Sequence, residues 1–184
     1  MHEKQFDGAI ERLRSPERVR RLEVERVTGL CLEAGDFKTV LDVGVGSGLF
    51  AEVFYQHGLQ VTGVDINPKM LPAARQFVPQ GDFQKASAES LPFTEAAFDL
   101  VFMGLVLHES DEPLEALKEA RRVAQKRVCV LEWPYAETDF GPPLEHRLKA
   151  EDMATLAHQA GFSHIEMIQL SHLVFYRLSI SQVG

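Results

Sequence analysis

A glycine-rich turn between an apolar strand and a helix constrains the fold of this chain more than any other feature. The strand is the β-branched run Thr39–Val43, the turn is Gly44–Gly48, and the helix continues to about His57. Such an apolar run is typical of a buried parallel strand. Ligands of open α/β sheets bind at the carboxyl ends of the strands. The sequence therefore predicts a ligand site at this turn.

Strand-like and helix-like segments alternate along the chain, which is typical of an α/β fold with a mostly parallel sheet. The predicted strands are Thr39–Val43, Leu59–Val64, Phe83–Ser87, Phe98–Met103, Arg127–Leu131, Ser163–Leu170 and His172–Ile180. The last two are joined so tightly that they must be antiparallel. We therefore expect a seven-stranded, doubly wound, mostly parallel α/β sheet with an antiparallel C-terminal hairpin.

Helices are predicted between these strands, each with its own start signal. The predicted helices are Pro16–Ala34 after the N-cap Ser15, Leu49–His57, one capped by Asn67, Pro113–Gln125 capped by Ser110 or Asp111, and Ala150–Ala160. The third begins at Pro68 or later, because Pro72 lies inside it. Residues 1–184 are predicted to be one domain, with residues 1–37 as a helical lid or cap and residues 38–184 as the core.

Composition excludes several classes of protein. The chain has 184 residues, 27 acidic and 19 basic, and a net charge of −8, which argues against nucleic-acid binding and against attachment to anionic membranes. Cys31 and Cys129 are its two cysteines and lie in apolar stretches, so neither a disulfide scaffold nor a metal site is expected. No apolar run is long enough to span a membrane, and no signal peptide is recognisable. We expect a cytoplasmic protein, a monomer or homodimer, that acts on a small molecule.

The spacing of the turn indicates the class of ligand. Its pattern is G-x-G-x-G, with Gly48 one position too early for a dinucleotide fingerprint, and no G-K-S/T follows. Asp42, just before the turn, repels a pyrophosphate but attracts an ammonium or sulfonium group. Asp65, 21 residues after Gly44, offers two acceptor oxygens to the hydroxyls of a ribose. These features favour a nucleoside whose other end is cationic.

Four segments together resemble the class I S-adenosylmethionine-dependent methyltransferases. They are VLDVGVGSG (Val40–Gly48), VTGVDINPKML (Val61–Leu71), Ala86–Phe93 with Ala97–Val123, and His146–Phe162. The resemblance spans Thr39 to Ile180 and is closest to the small-molecule, type 11 branch that includes the quinone-biosynthesis C-methyltransferases. It implies a Rossmann-like methyltransferase fold and methyl transfer from S-adenosylmethionine to a small acceptor, with S-adenosylhomocysteine as product.

The resemblance also implies which residues bind S-adenosylmethionine. Asp42 and the backbone of Gly44 and Gly46 would hold the methionine end, within a turn completed by Gly48. Asp65 would bind the ribose, and Ile66 would pack on the adenine. The adenine edge would meet Ser87, Ala88 and Glu89, and the backbone near Met103 would meet the methionine amino group. The family often has Asp where this chain has Ser87, and two histidines where it has His108-Glu109.

Methyl transfer from a sulfonium requires positioning, and it requires a base only when the acceptor must lose a proton. His108 is a candidate to position or deprotonate the acceptor; the alternative is a structural, hydrogen-bonding histidine. Glu109 is a candidate to orient the acceptor; the alternative is a solvated loop acid.

A second set of residues is expected to contact the acceptor. Glu132, Trp133 and Tyr135 follow the fifth strand, and the two aromatic residues are candidates for an apolar wall, although core packing explains Trp133 equally well. His146 and Arg147 are candidates to bind an anionic group; the alternative is a salt link to Asp139 or Glu145. The charges of the N-terminal helix, including Arg18 and Arg21, are expected to form a solvated face.

Two other functions remain open. A protein that binds S-adenosylmethionine or S-adenosylhomocysteine without turnover, or a partner subunit, would carry the same motifs. An NAD(P)-dependent reductase has a related fold, but the G-x-G-x-G spacing and Asp42 argue against it.

Overall fold

The seven predicted strands form one sheet in the computed structural model, which describes residues 10–180. The strands are β1 Thr39–Val43, β2 Gln60–Asp65, β3 Asp82–Lys85, β4 Phe98–Gly104, β5 Ala124–Glu132, β6 His164–Gln169 and β7 Val174–Ser179. Their order is β3-β2-β1-β4-β5-β7-β6, with β1 to β5 parallel and β7 antiparallel to both β5 and β6. The expected sheet with its antiparallel C-terminal hairpin is confirmed.

The strand order reverses beside β1, and this reversal positions the site. Val43 at the end of β1 is in register with Val64 of β2 on one side and with Met103 of β4 on the other. The carboxyl ends of β1, β2 and β4 therefore lie side by side. A crevice opens at such a switch point, because the chain leaves the two neighbouring strands toward opposite faces of the sheet.

Seven α-helices lie among residues 10–180: α1 Ile10–Leu13, α2 Pro16–Leu22, α3 Val24–Leu32, α4 Leu49–Gln56, α5 Leu71–Phe77, α6 Pro113–Val123 and α7 Ala150–Gln159. Short 3₁₀ turns occupy Leu107–Glu109 and Leu144–His146. None of these helices is long and apolar enough to cross a membrane.

Two helix predictions are wrong in detail. The single helix expected over Pro16–Ala34 is two helices, because Glu23 adopts a left-handed conformation with φ 48° and ψ 44°. Helix α6 begins after Glu112, which makes no side-chain cap, and Ser110 instead donates its hydroxyl to Glu89. The other start signals hold: the Ser15 hydroxyl accepts from the Arg18 N–H, and the helix with Pro72 begins later than Pro68, at Leu71.

Both faces of the sheet are covered, and β4 shows this most directly. Its residues Leu100 and Phe102 pack into the cluster formed with α3 and α4, while Val101 and Met103 pack into the cluster formed with α6 and α7. All four are fully buried. A strand that alternates between two apolar layers is a central strand of a doubly wound sheet, and its side chains are therefore unavailable to a ligand.

Candidate functional site

A cavity of about 1080 Å³ opens at the carboxyl ends of β1, β2 and β4. Most of the site residues predicted from the sequence line it. These are Asp42, Gly44, Gly46, Asp65, Ile66, Ser87, Ala88, Glu89, His108, Glu109, Trp133 and His146. The parallel topology thus brings together residues that are far apart in the sequence.

The glycine turn is held by backbone hydrogen bonds to the neighbouring strand. The N–H groups of Gly44 and Val45 donate to the Val64 carbonyl at 2.8 and 2.9 Å. Gly44 has φ +72°, and a Cβ there would lie 2.3 Å from Cγ2 of Val106, so only glycine allows the approach. The Gly46 N–H donates to Oδ2 of Asp65 at 2.8 Å. These three N–H groups are therefore engaged within the protein, and at these positions the turn offers a ligand close approach rather than free donors.

Asp65 ties the turn to the start of the next loop. Its Oδ2 accepts from Gly46 and its Oδ1 accepts from the Asn67 N–H at 2.8 Å. Burial raises the pKa of this carboxyl, although the two N–H donors oppose the shift. Each oxygen retains a lone pair after these bonds. The carboxylate is thus fixed in orientation and still able to accept two hydrogen bonds from adjacent hydroxyls.

Asp42 is a buried acid beside Asp65. Burial and the charge of Asp65 raise the pKa of Asp42 to about 8, against the effect of the Ala51 N–H. A cation entering the cavity would favour the ionised form. Asp42 would therefore stabilise a positively charged group bound next to it in the cavity.

A second polar cluster lies where the chain leaves β3. Glu89 accepts hydrogen bonds from the hydroxyls of Ser87 and Ser110. Burial alone would raise the pKa of Glu89, but these donors hold it below its usual value. The hydroxyl of Ser87 thus positions Glu89 as well as lining the cavity.

His108 forms a buried pair with Glu132, a partner that sequence reasoning missed. Nδ1 of His108 lies 2.8 Å from Oε2 of Glu132, and both side chains are less than one tenth exposed. The two residues are 24 positions apart and meet because β4 and β5 are parallel neighbours. The signal available in the sequence was that each follows the carboxyl end of a predicted strand.

Four of the predicted site residues are not among those lining the cavity. Gly48 packs against α5, where a Cβ would lie 2.9 Å from Cα of Ala74. The side chain of Met103 is in the core, and its neighbour Gly104 lines the cavity instead. Tyr135 is 46% exposed and lies under the Lys149 ammonium. The fourth is Arg147.

Arg147 has a structural role that contradicts the predicted anion-binding one. Its guanidinium donates to the carbonyls of Pro134, Ala136, Phe140 and Pro142 and to the hydroxyl of Thr138. The residue is 6% exposed. Because every guanidinium nitrogen already donates within residues 134–142, Arg147 fixes that loop rather than binding a ligand. The alternative predicted salt link to Asp139 or Glu145 is not among the ion pairs of residues 10–180.

The N-terminal helices form the remaining wall of the cavity. Leu13, Ser15, Arg18, Arg21 and Leu22 all line it. The expectation of a purely solvated face is therefore wrong for Arg18 and Arg21. It holds for Arg26, which is half exposed and pairs with Glu23 at 2.7 Å.

Comparison with known proteins indicates the family. A sequence model of the methyltransferase domain matches residues 41–130, which include the glycine turn, Asp65 and His108. A demethylmenaquinone methyltransferase of Renibacterium salmoninarum is 33% identical over 56% of this chain and 44% of its own length. A malonyl-[acyl-carrier protein] O-methyltransferase of Enterobacter lignolyticus is 31% identical over 66% of this chain and 48% of its own. The comparisons support a class I S-adenosylmethionine-dependent methyltransferase.

A solved structure extends the likeness to the whole methyltransferase fold. The S-adenosylmethionine-dependent methyltransferase from Aquifex aeolicus superimposes with a TM-score of 0.83, at 24% identity, over 96% of this chain and 100% of that one. By contrast, this methyltransferase spans less than half the length of the two curated relatives. Those relatives also differ in acceptor, one by name a demethylmenaquinone and the other a malonyl-[acyl-carrier protein], so the family does not specify what is methylated.

Proposed function

We propose that this methyltransferase transfers a methyl group from S-adenosylmethionine to a small-molecule acceptor. The observation that carries the proposal is the pairing of two buried acids at the switch point. Asp65 is oriented to accept from ribose hydroxyls, and Asp42 is a buried carboxyl whose ionised form a nearby cation would favour. A dinucleotide would place its pyrophosphate against these acids, which is electrostatically unfavourable.

The residues of the cavity fit S-adenosylmethionine. Asp65 would take the ribose hydroxyls, Ile66 would lie beside the adenine, and Ala88 and Glu89 would meet its edge. Asp42 would face the cationic methionine end, which approaches closely over Gly44 and Gly46. A volume of about 1080 Å³ lies just above the usual range of small-molecule pockets, roughly 300–1000 Å³, which leaves room for an acceptor as well.

S-adenosylmethionine, when bound, supplies a methyl group on a cationic sulfur that departs as the neutral thioether of S-adenosylhomocysteine. The protein's contribution is to position the acceptor and to exclude water. His108 and Glu109 line the cavity beyond the end of β4, and Trp133 with Phe140 supplies an apolar wall. We assign the acceptor to that side. The net charge of −8 supports an acceptor other than nucleic acid, and we expect a monomer or homodimer in the cytoplasm.

Calorimetric titration with S-adenosylhomocysteine, which cannot turn over, tests the proposal, with NAD as the comparison ligand. We expect micromolar or tighter binding of S-adenosylhomocysteine and no binding of NAD. Binding of NAD alone would reassign the protein to the reductases. Incubation with labelled S-adenosylmethionine and a panel of small acceptors then separates the enzyme from a non-catalytic binding protein, which would label none of them.

We also propose that the N-terminal segment acts as a lid. Arg14 joins it to the core: Nη1 lies 2.7 Å from Oε2 of Glu52, Nε lies 3.3 Å from the Ser47 carbonyl oxygen, and the guanidinium lies over the Phe77 ring. These contacts hold Leu13 and Ser15 against the cavity. The prediction for residues 1–9 of this segment falls outside the described residues.

Replacement of Arg14 by alanine should weaken S-adenosylhomocysteine binding about tenfold, or about 1.4 kcal/mol, mainly through faster dissociation, because the wall of the cavity loses its attachment. Surface plasmon resonance measures both the affinity and the dissociation rate. Arg26→Ala, which removes an exposed ion pair of the same segment, is the matched control and should bind as the parent does. Equal dissociation rates in both variants would contradict the lid.

A further inference from the structure

We propose that Glu132 is a positioning residue that presents the Nε2 lone pair of His108 to the cavity as a proton acceptor. It follows that the methyl acceptor is a molecule whose attacking atom carries a proton. The inference rests on the proposed function and adds to it a class of acceptor: a hydroxyl, a neutral nitrogen that bears a hydrogen or an acidic carbon, rather than a tertiary amine or a thioether.

The geometry of Glu132 determines the tautomer of His108. Oε1 of Glu132 accepts from the backbone N–H of His108 at 3.3 Å, and Oε2 accepts from the backbone N–H of Trp133 at 3.2 Å. Oε2 also faces the ring nitrogen Nδ1 of His108 at 2.8 Å. An ionised carboxylate only accepts hydrogen bonds, so the proton between them belongs to Nδ1. Nε2 then carries the lone pair.

The other ring nitrogen faces a second residue that lines the cavity. Nε2 of His108 is 3.7 Å from Oε1 of Glu109, and both residues line the cavity. The imidazole is 7% exposed. A buried ring with one nitrogen on a buried acid and the other toward a ligand cavity has the arrangement of a general base with its orienting group.

Several charges act on this imidazole. Glu132 acts on it from the end of β5, Glu109 from the 3₁₀ turn that contains His108, and Arg147 from the loop before α7. Two further groups act on these carboxylates: Tyr176 of β7 lies near Glu132, and Arg18 of α2 lies near Glu109. Burial lowers the pKa of His108, as does Arg147, but the charge and hydrogen bond of Glu132, with Glu109, raise it above 6.5. His108 is therefore a stronger base than an ordinary imidazole, and it is neutral and able to accept a proton only above its raised pKa.

The proton balance is simple. As the attacking atom uses its electron pair to bond the methyl carbon, the proton on that atom passes to Nε2 of His108. The positive charge that the donor sulfur loses thus ends on the imidazolium, 2.8 Å from the Glu132 carboxylate. The proton leaves to solvent afterwards. An acceptor whose attacking atom carries no proton would not be assisted by the His108–Glu132 pair.

Nitrogen-15 NMR of the full chain tests the pair without knowledge of the acceptor. The wild-type protein should show His108 protonated at Nδ1, with a pKa above 6.5; a His108→Asn variant assigns the signal. In Glu132→Gln the amide oxygen can still accept from the backbone, but the charge is gone. We expect its His108 pKa to fall by about one unit, a tenfold change in proton affinity, and the two tautomers to mix.

Controls separate a positioning role from a structural one. Glu166→Gln removes a carboxylate of β6 that pairs with Arg177 and should leave the His108 signals unchanged. A His108 protonated at Nε2 in the wild type, or a pKa unchanged in Glu132→Gln, overturns the proposal. Because the tautomer is read on the free protein, failure to bind S-adenosylhomocysteine would overturn the proposed function separately.

A matched pair of probes tests the acceptor class. With S-adenosylhomocysteine present, millimolar phenol should shift the Nε2 signal of His108, because its O–H donates to that nitrogen. Anisole has the same ring but no O–H and should leave the signal in place. Equal responses to the two probes, or no response to phenol, would contradict an acceptor that gives up a proton to His108.

Discussion

Replacement of Asp65 by alanine should abolish measurable binding of S-adenosylhomocysteine, with a loss of at least about 100-fold, or about 2.7 kcal/mol. Two effects combine. The ligand loses hydrogen bonds to a charged acceptor, each worth about 1.5–3 kcal/mol. The Gly46 N–H, now bonded to Oδ2 at 2.8 Å, also loses its partner, so the glycine turn is less firmly held. Isothermal titration calorimetry measures the outcome.

The matched control for this substitution is Asp82→Ala. Asp82 is an exposed acid at the start of β3, while Asp65 lies at the end of the neighbouring strand β2, so the control removes the same charge from the opposite, amino-terminal end of the parallel strands. Its affinity should equal that of the parent. If Asp65→Ala bound within threefold of the parent while remaining folded by circular dichroism, Asp65 would not be the ribose-binding residue.

Replacement of Asp42 by asparagine should stabilise the protein against unfolding and weaken its ligand binding, with both effects growing as the pH rises. The pKa of Asp42 is raised from 3.8 to about 8, by burial first and by Asp65 second. The folded state therefore holds a proton that the unfolded chain releases, and stability falls as the pH rises from about 4 to about 8. Asparagine removes that pH-dependent cost.

The expected size follows from the shift. Each unit of pKa is worth about 1.4 kcal/mol, so the stability advantage of Asp42→Asn should widen by about 2–4 kcal/mol between pH 5 and pH 9. For a chain of this size that corresponds to roughly 5–15 °C in Tm. Differential scanning fluorimetry at the two pH values measures it. Asp82→Asn should show no such widening, and an advantage of Asp42→Asn that narrows with pH would contradict the ionisation of a buried acid.

The same variant should bind S-adenosylhomocysteine more weakly at pH 9 than the parent does, because the carboxylate that faces the cationic methionine end is gone. A residue that destabilises the free fold and improves binding is a common compromise at functional sites.

The sequence predicted the fold well because the signals were long and periodic. β4 is apolar at both faces, and the glycine turn lies between a strand and a helix, so each could be assigned from local pattern alone. The break at Glu23 carried no such signal. Its left-handed conformation is not one that glutamate favours; its carboxylate accepts from the Ser171 N–H, 148 positions away, a contact that local pattern cannot reveal.

The sequence indicated some residues of the cavity and missed others for the same physical reason. Asp42, Asp65 and the glycines belong to one strand-turn-helix unit and the next strand end, so their spacing indicates a ligand. The pairing of Glu132 with His108 depends on the register of β4 and β5. Arg147 was misassigned because an arginine near a site suggests anion binding, whereas its partners are carbonyl oxygens, which every residue carries and no sequence pattern marks.

The Arg147 loop has a consequence for how this enzyme fold could diversify. One guanidinium holds the backbone of residues 134–142 from inside, while Asp139, Phe140 and Pro142 present their outer surfaces to the cavity. Side chains on that outer surface can be exchanged while the backbone keeps its shape. The glycine turn and Asp65 lie on other strands and are untouched by such changes. Substitutions at Asp139, Phe140 and Pro142 would thus be expected to change which acceptor binds, while the residues proposed to bind the nucleoside stay unchanged.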